Sequence, residues 1–236
     1  MIIVDFYGLP GCGKSTIAKG VYENLKKLQI DVSLFNKNEY LEECKIKKNY
    51  LKDYIRLLLP HNLKFIFEII FNIKKYKKNQ KVLKYDLKER IWKELRLVIL
   101  YDKLAYTKSD SVILVDQGII QDFSDYIMFR DITDDVIENY LEKYTQSKNE
   151  FIFVNCEISV NESINRIKSR NRKIYSFDYL KDVELNEFLT EQQKILKNIN
   201  KEIADKENLN KIKVVPRTEF LENNIENLVN EVVRRR

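Results

Sequence analysis

Three of the chain's five glycines lie within the segment Gly8-Leu9-Pro10-Gly11-Cys12-Gly13-Lys14-Ser15, directly after the apolar run Ile2-Ile3-Val4-Asp5-Phe6. A chain this poor in glycine gathers it where the backbone needs positive φ, or where it must approach something more closely than side chains allow. Ile17, Val21, Leu25 and Leu28 follow at helical spacing, so the local expectation is strand, tight loop, helix. In that setting the N–H groups of Gly11, Cys12, Gly13, Lys14, Ser15 and Thr16 are expected to wrap a polyphosphate that also faces the positive end of the helix. Lys14 is then expected to reach the β- and γ-phosphates, and the Ser15 hydroxyl to ligate Mg²⁺.

The remaining composition bounds the fold. With 236 residues and ordinary apolar content the chain can bury one sizeable α/β core, and a single domain spanning 1–236 is expected. Cys12, Cys44 and Cys156 are odd in number and lack metal-ligand spacing, which predicts reduced thiols rather than a disulfide frame or a zinc site. With His61 as the single histidine, histidine-based triads and multi-histidine metal sites are not expected. The opening residues read as a core strand rather than a leader peptide. The longest apolar stretch, 65–73, contains Glu68 and falls far short of the ~20 residues a membrane-spanning helix needs, so a cytoplasmic protein is expected.

Five apolar runs read as strands: Ile2 to Phe6, Val32 to Phe35, Val112 to Val115, Phe151 to Cys156 and Ile212 to Val215. Their near-continuous apolar character and their alternation with helical patterns predict an α/β fold. Its expected form is a doubly wound, five-stranded parallel sheet of P-loop NTPase type with helices on both faces. Between the second and third runs, about 40–108, the pattern predicts only helices, an inserted helical region. The middle one, 63–73, is apolar on nearly every side and is expected to be buried or to pair with a second copy. Lys45 to Lys108 holds 18 basic against 6 acidic residues, so the net charge of +6 belongs to that segment. Such a balance attracts anions, but no aromatic-basic pattern accompanies it and no nucleic-acid partner is expected. Asn223 to Val233 predicts a final amphipathic helix ending in a frayed Arg234-Arg235-Arg236.

Two further clusters carry charge suited to the loop. The third run ends in Asp116, the position for a carboxylate that holds Mg²⁺ directly or through water, and Gly118 then permits a tight turn. After the fourth run, Arg166 and Arg170 share a helical face, with Arg172 on the loop beyond. Guanidinium groups suit a phosphoryl group in flight, whose charge is spread over its oxygens.

With these residues together, the chain resembles the P-loop nucleoside and nucleotide kinases, and most closely thymidylate kinase-like proteins. The resemblance covers most of the chain: Gly8 to Ser15, Arg96, Asp116-Gln117-Gly118 with Ser124 and Tyr126, and the arginines at 166–172. It implies that Arg96, Gln117 and Tyr126 contact the phosphoryl acceptor, that the helical insertion over about 40–108 lies on the acceptor side of the site, and that a lid over about 162–180 closes over a nucleoside triphosphate. The chain departs from the family in having Gln117 where an arginine is usual, and Asn36-Lys37-Asn38-Glu39-Tyr40 where Arg-Glu-Pro is usual. Both departures remove guanidinium groups that a monophosphate acceptor normally meets. In the related deoxynucleoside kinases a glutamate just past the second strand takes the proton of the attacked hydroxyl, which makes Glu39 the candidate base.

The resulting expectation is an Mg²⁺- and ATP-dependent kinase acting on a small acceptor, a nucleoside or nucleotide first. Lys14, Asp116, Arg166, Arg170, Arg172 and Glu39 are its candidate catalytic residues, and Ser15 and Asp116 its metal ligands. The alternatives are a sugar or polyol kinase and a nucleotide-binding regulatory or assembly NTPase.

Overall fold

The computed structural model describes residues 1–36, 58, 62–63, 66–67, 95, 98–100, 102, 104, 110–122, 124, 138, 141–142, 147–170, 176–206, 209–216 and 218–236. Within these, β1 (Ile2–Tyr7) has all six residues buried. Side chains alternate between the faces of a strand, so both faces of β1 are covered, as its unbroken apolar run requires.

Helix α1 (Lys14–Lys27) buries Ile17, Ala18, Val21 and Leu25 on one face. Its end is set locally. Gln29 adopts φ 58, its N–H donates to Lys26 O, and Ile30 N–H donates to Leu25 O. That pair of bonds satisfies carbonyls left open at a helix end, and it brings the buried Leu25 and Ile30 together. The chain is thereby turned into β2 (Val32–Asn36).

Strand β3 (Val112–Asp116) inserts between β2 and β1, β4 (Glu150–Cys156) pairs with the other side of β1, and β5 (Asn210–Val214) closes the order β2-β3-β1-β4-β5. All four pairings are parallel, with Phe6 opposite Asp116 and Tyr7 opposite Asn155. The sequence therefore placed all five strands, with small shifts at their ends. The largest is at β5, which begins at Asn210 because its first residues pair with Ile152 and Phe153 of β4 although their side chains are polar.

After β4 come α2 (Val160–Ser169) and α3 (Asp182–Ala204), and after β5 comes α4 (Leu221–Arg235). Ser159 caps α2 by accepting the N–H of Glu162 at 3.2 Å. The interior face of α3 carries Leu185, Leu189, Leu196, Ile199 and Ile203, and Asn200 from the same helix accepts the buried Tyr7 hydroxyl. Helix α4 crosses α1 at Gly20, where an added β-carbon would lie 2.4 Å from Ile225 Cδ1. The basic end expected to fray is instead helical to Arg235, because Arg235 bonds Glu231 at 2.5 Å and pairs with Glu150 at the start of β4.

Much of the stretch 40–108 lies outside the described residues. Those described within it are all helical, and Asn62 is buried and donates to Asp102 Oδ1 at 3.2 Å. Of the apolar segment 63–73, Leu63 and Ile66 are partly buried and Phe67 is exposed; its other residues lie outside those described. No helix among the described residues is long and apolar enough to cross a membrane.

Candidate active site at the carboxyl ends of β1 and β3

The glycine-rich loop leaves the buried end of β1 and enters α1 in six residues that use positive φ three times: 145° at Gly8, 81° at Gly11 and 92° at Gly13. L-residues other than glycine pay heavily for such angles, which is why the glycines are spaced as they are. Gly13 is also the N-cap of α1 and offers no side-chain acceptor. The first N–H groups of α1 are therefore left without intrahelical partners at the end that carries positive partial charge.

Lys14 is only 7% exposed, and its Nζ donates to Gly8 O at 2.9 Å, Leu9 O at 3.1 Å and Cys12 Sγ at 3.4 Å. Its ammonium has no carboxylate partner among the described residues. Buried charges are ordinarily paired, so this cation sits in a site suited to an anion. Cys12 partly fills that role. Burial alone would raise its thiol pKa, but the hydrogen bond with Cys156 and the Lys14 charge lower it to about 6. Its hydrogen-bond partner Cys156 moves the other way, pushed up by that bond and by burial.

Ser15 and Asp116 are brought together by the parallel register of β1 and β3. Ser15 Oγ donates to Asp116 Oδ2 at 2.6 Å, while Asp116 Oδ1 is buried with no hydrogen-bond partner. A hydroxyl beside a carboxylate with one unsatisfied oxygen fits a hard divalent cation that keeps several of its waters, as Mg²⁺ does. Among the described residues no larger cluster of acidic, histidine and cysteine side chains competes for a metal.

Beyond Asp116 the chain turns on Gln117, whose φ of 60° is unusual for a residue with a β-carbon, and whose N–H donates to Phe6 O at 3.2 Å. Gly118 follows because the Asp5 carboxylate occupies its side-chain space: a β-carbon there would lie 2.5 Å from Asp5 Oδ1. Asp5 Oδ2 accepts the N–H of Ile119 at 2.7 Å, tying β1 to the helical residues after β3. From those residues Gln121 Oε1 accepts the Gly8 N–H at 3.3 Å, and Ser124 braces Gln121 through its carbonyl at 2.8 Å.

The two described lid arginines stand differently. Arg166 is committed: Nη1 donates to Gly11 O at 3.2 Å, and Nη2 to Glu162 Oε1 at 2.6 Å and Pro216 O at 3.0 Å. Arg170 makes no ion pair or hydrogen bond through its guanidinium among the described residues, although its Nη2 lies 3.6 Å from where a β-carbon on Gly11 would be.

The structure thus brings Gly11, Cys12, Gly13, Lys14, Ser15, Thr16, Asp116, Gln117, Arg166 and Arg170 to one end of the sheet, the crevice side of open α/β folds. Glu39, Arg96, Tyr126 and Arg172 lie outside the described residues. Asp5, Gln121, Glu162, Ser163 and Pro216 were not read from the sequence. Glu162, Ser163 and Arg166 fall within one turn of α2, and Pro216 follows the fifth strand, but neither pattern signals loop contact until the strands are ordered.

No protein-family model and no curated protein matches this chain. Among solved structures, deoxyadenosine kinase from M. mycoides with the products dCMP and a flexible dCDP is 18% identical, with a TM-score of 0.48 over 99% of this chain and 100% of that one. The same kinase with bound dATP is 17% identical, with a TM-score of 0.43 over 98% of this chain and 99% of that one.

Proposed function

We propose that this chain is a phosphotransferase that moves the γ-phosphoryl group of ATP to a small acceptor, a nucleoside or nucleotide. The observation that carries the reading is the meeting of a buried Lys14, which has no carboxylate partner among the described residues, with the Ser15–Asp116 pair at the mouth of the glycine loop. Charge of both signs is placed there for a polyphosphate and its cation, and phosphoryl transfer is mainly positioning and electrostatics.

In this reading Lys14 exchanges its loop acceptors for β- and γ-phosphate oxygens, while the open N–H groups at the start of α1 bind the same anion. Ser15 and Asp116 would hold Mg²⁺, with Asp116 Oδ1 the free ligand or water acceptor. When bound, the ion neutralises charge on the β- and γ-oxygens. Arg170, whose guanidinium has no partner among the described residues, is the cation left to approach the transferring group, and the sequence pattern adds Arg172 as a second candidate. The sequence resemblance supports Glu39 as base for the acceptor hydroxyl and Arg96, Gln117 and Tyr126 as acceptor contacts. A glutamine at 117 in place of a guanidinium favours an uncharged acceptor hydroxyl over a phosphate.

The test is ADP release from Mg·ATP by the purified protein, alone and with a panel of nucleosides, nucleoside monophosphates and sugars. Stimulation by one acceptor, with phosphate appearing on it and loss of turnover in Lys14→Ala, is the expected result. A slow rate indifferent to every acceptor would favour a nucleotide-dependent switch instead. Full single-turnover activity in Lys14→Ala would reject the mechanism.

A further inference from the structure

Helix α2 grips the loop through two consecutive carbonyls. Ser163 Oγ donates to Pro10 O at 2.6 Å, and Arg166 Nη1 donates to Gly11 O at 3.2 Å. Ser163 and Arg166 are three residues apart, so they share one face of the helix. That face lies flush on the loop: a β-carbon on Gly11 would be 3.3 Å from Arg166 Cβ and 3.6 Å from Ser163 O. The peptide between Gly11 and Cys12 is then held at both ends, because Cys12 N–H donates to Leu9 O at 3.1 Å. Glu162 holds the guanidinium from behind, and its second branch reaches Pro216 O beyond β5.

A loop that binds an anion through N–H groups must keep its carbonyl oxygens away from that anion, since they carry the opposite partial charge. Oxygens that accept from α2 cannot swing into the anion's space without losing those bonds. We propose that Ser163 and Arg166 are positioning residues, which set the loop's affinity for polyphosphate by holding the Pro10 and Gly11 carbonyls on α2, with Glu162 anchoring the guanidinium. Arg166 then acts through the loop rather than on the transferring group, and direct contact falls to Arg170, whose guanidinium has no partner among the described residues. This inference rests on the polyphosphate-binding reading given above.

Equilibrium binding of Mg·ATP and Mg·ADP separates the roles, because ADP lacks the γ-phosphate. The variants are Ser163→Ala, Arg166→Gln, Arg166→Lys and the Ser163→Ala/Arg166→Gln double, each checked for folding by thermal unfolding. Arg166→Gln is expected to weaken both nucleotides by the same factor, roughly tenfold, as for loss of a charged donor, with kcat at saturation little changed. Arg166→Lys, which keeps the charge but not the planar fork whose separate nitrogens reach Gly11 O and Pro216 O, should recover part of that loss. The double variant should lose less than the product of the singles, because both side chains act on one short stretch of backbone.

Weaker ATP binding or a lower kcat with ADP binding intact would overturn the proposal and make Arg166 a γ-phosphate contact. Strictly multiplicative losses, or variants that bind like wild type, would overturn it too. If Arg166→Gln does not fold, Ser163→Ala carries the test with the same two nucleotides. Wild-type protein that binds neither nucleotide would overturn the phosphate-binding reading and this inference together, whereas unaltered variants of a binding wild type overturn this inference alone.

Discussion

Gly8 stands so close to Cys156 that a β-carbon on Gly8 would lie 2.3 Å from the Cys156 carbonyl oxygen and 3.0 Å from Cys12 Sγ. The contact follows from register, since Tyr7 pairs with Asn155 and the next residue of β1 must pass the next residue of β4. Gly8→Ala is therefore expected to destabilise the protein by about 3 kcal/mol, since backbone must move and φ is 145°. Gly20→Ala, whose β-carbon meets the movable tip of Ile225, should cost about 1 kcal/mol or less. Urea denaturation of the two variants checks the order, and equal losses would refute it.

Asp116→Asn keeps an oxygen for the Ser15 hydroxyl and removes the charge. The expected result is an unchanged unfolding midpoint with Mg²⁺ dependence shifted by about 10- to 100-fold, as for loss of a group that orients a bound metal. A magnesium titration of turnover measures it. An unshifted titration would remove Asp116 from the metal site.

Gln117 pays for its left-handed backbone, and Gln117→Gly should stabilise the fold by about 1 kcal/mol. If its side chain meets the acceptor, the same variant loses turnover with that acceptor. Chemical denaturation and steady-state kinetics on one preparation test both halves; a variant no more stable than wild type would show that the turn is not strained.

The Cys12 thiol, lowered to about 6 in the folded protein, gives stability a pH dependence. A group whose folded pKa lies below its unfolded value contributes fully above the unfolded value, and that contribution is lost as pH falls through the folded one. Wild type should therefore gain stability relative to Cys12→Ser as pH rises from about 6 towards the range of a free thiol near 8.5. Urea midpoints of the two proteins across that window decide it, and parallel curves would mean that Cys12 stays protonated.

The strands, the glycine loop, α1 and Asp116 were all legible in the sequence, because each is encoded locally. Apolar runs mark strands buried on both faces, helical spacing marks α1, and clustered glycine marks a backbone that must take positive φ. Arg166 was legible as a cation on α2, but not what it binds. Its acceptors, Gly11 O and Pro216 O, lie 155 and 50 residues away along the chain, and they become neighbours only once β1, β4 and β5 lie side by side. The same holds for Asp5, whose carboxylate reads as an interruption in an apolar strand until β3 brings Gly118 and the Ile119 N–H against it. It also holds for Arg235, which Glu150 draws out of a frayed end. Sequence alone determined which backbone could bend and which residues carried charge. The order and register of the parallel strands decided which of those charges meet, because that pairing is made by contacts distant in the chain.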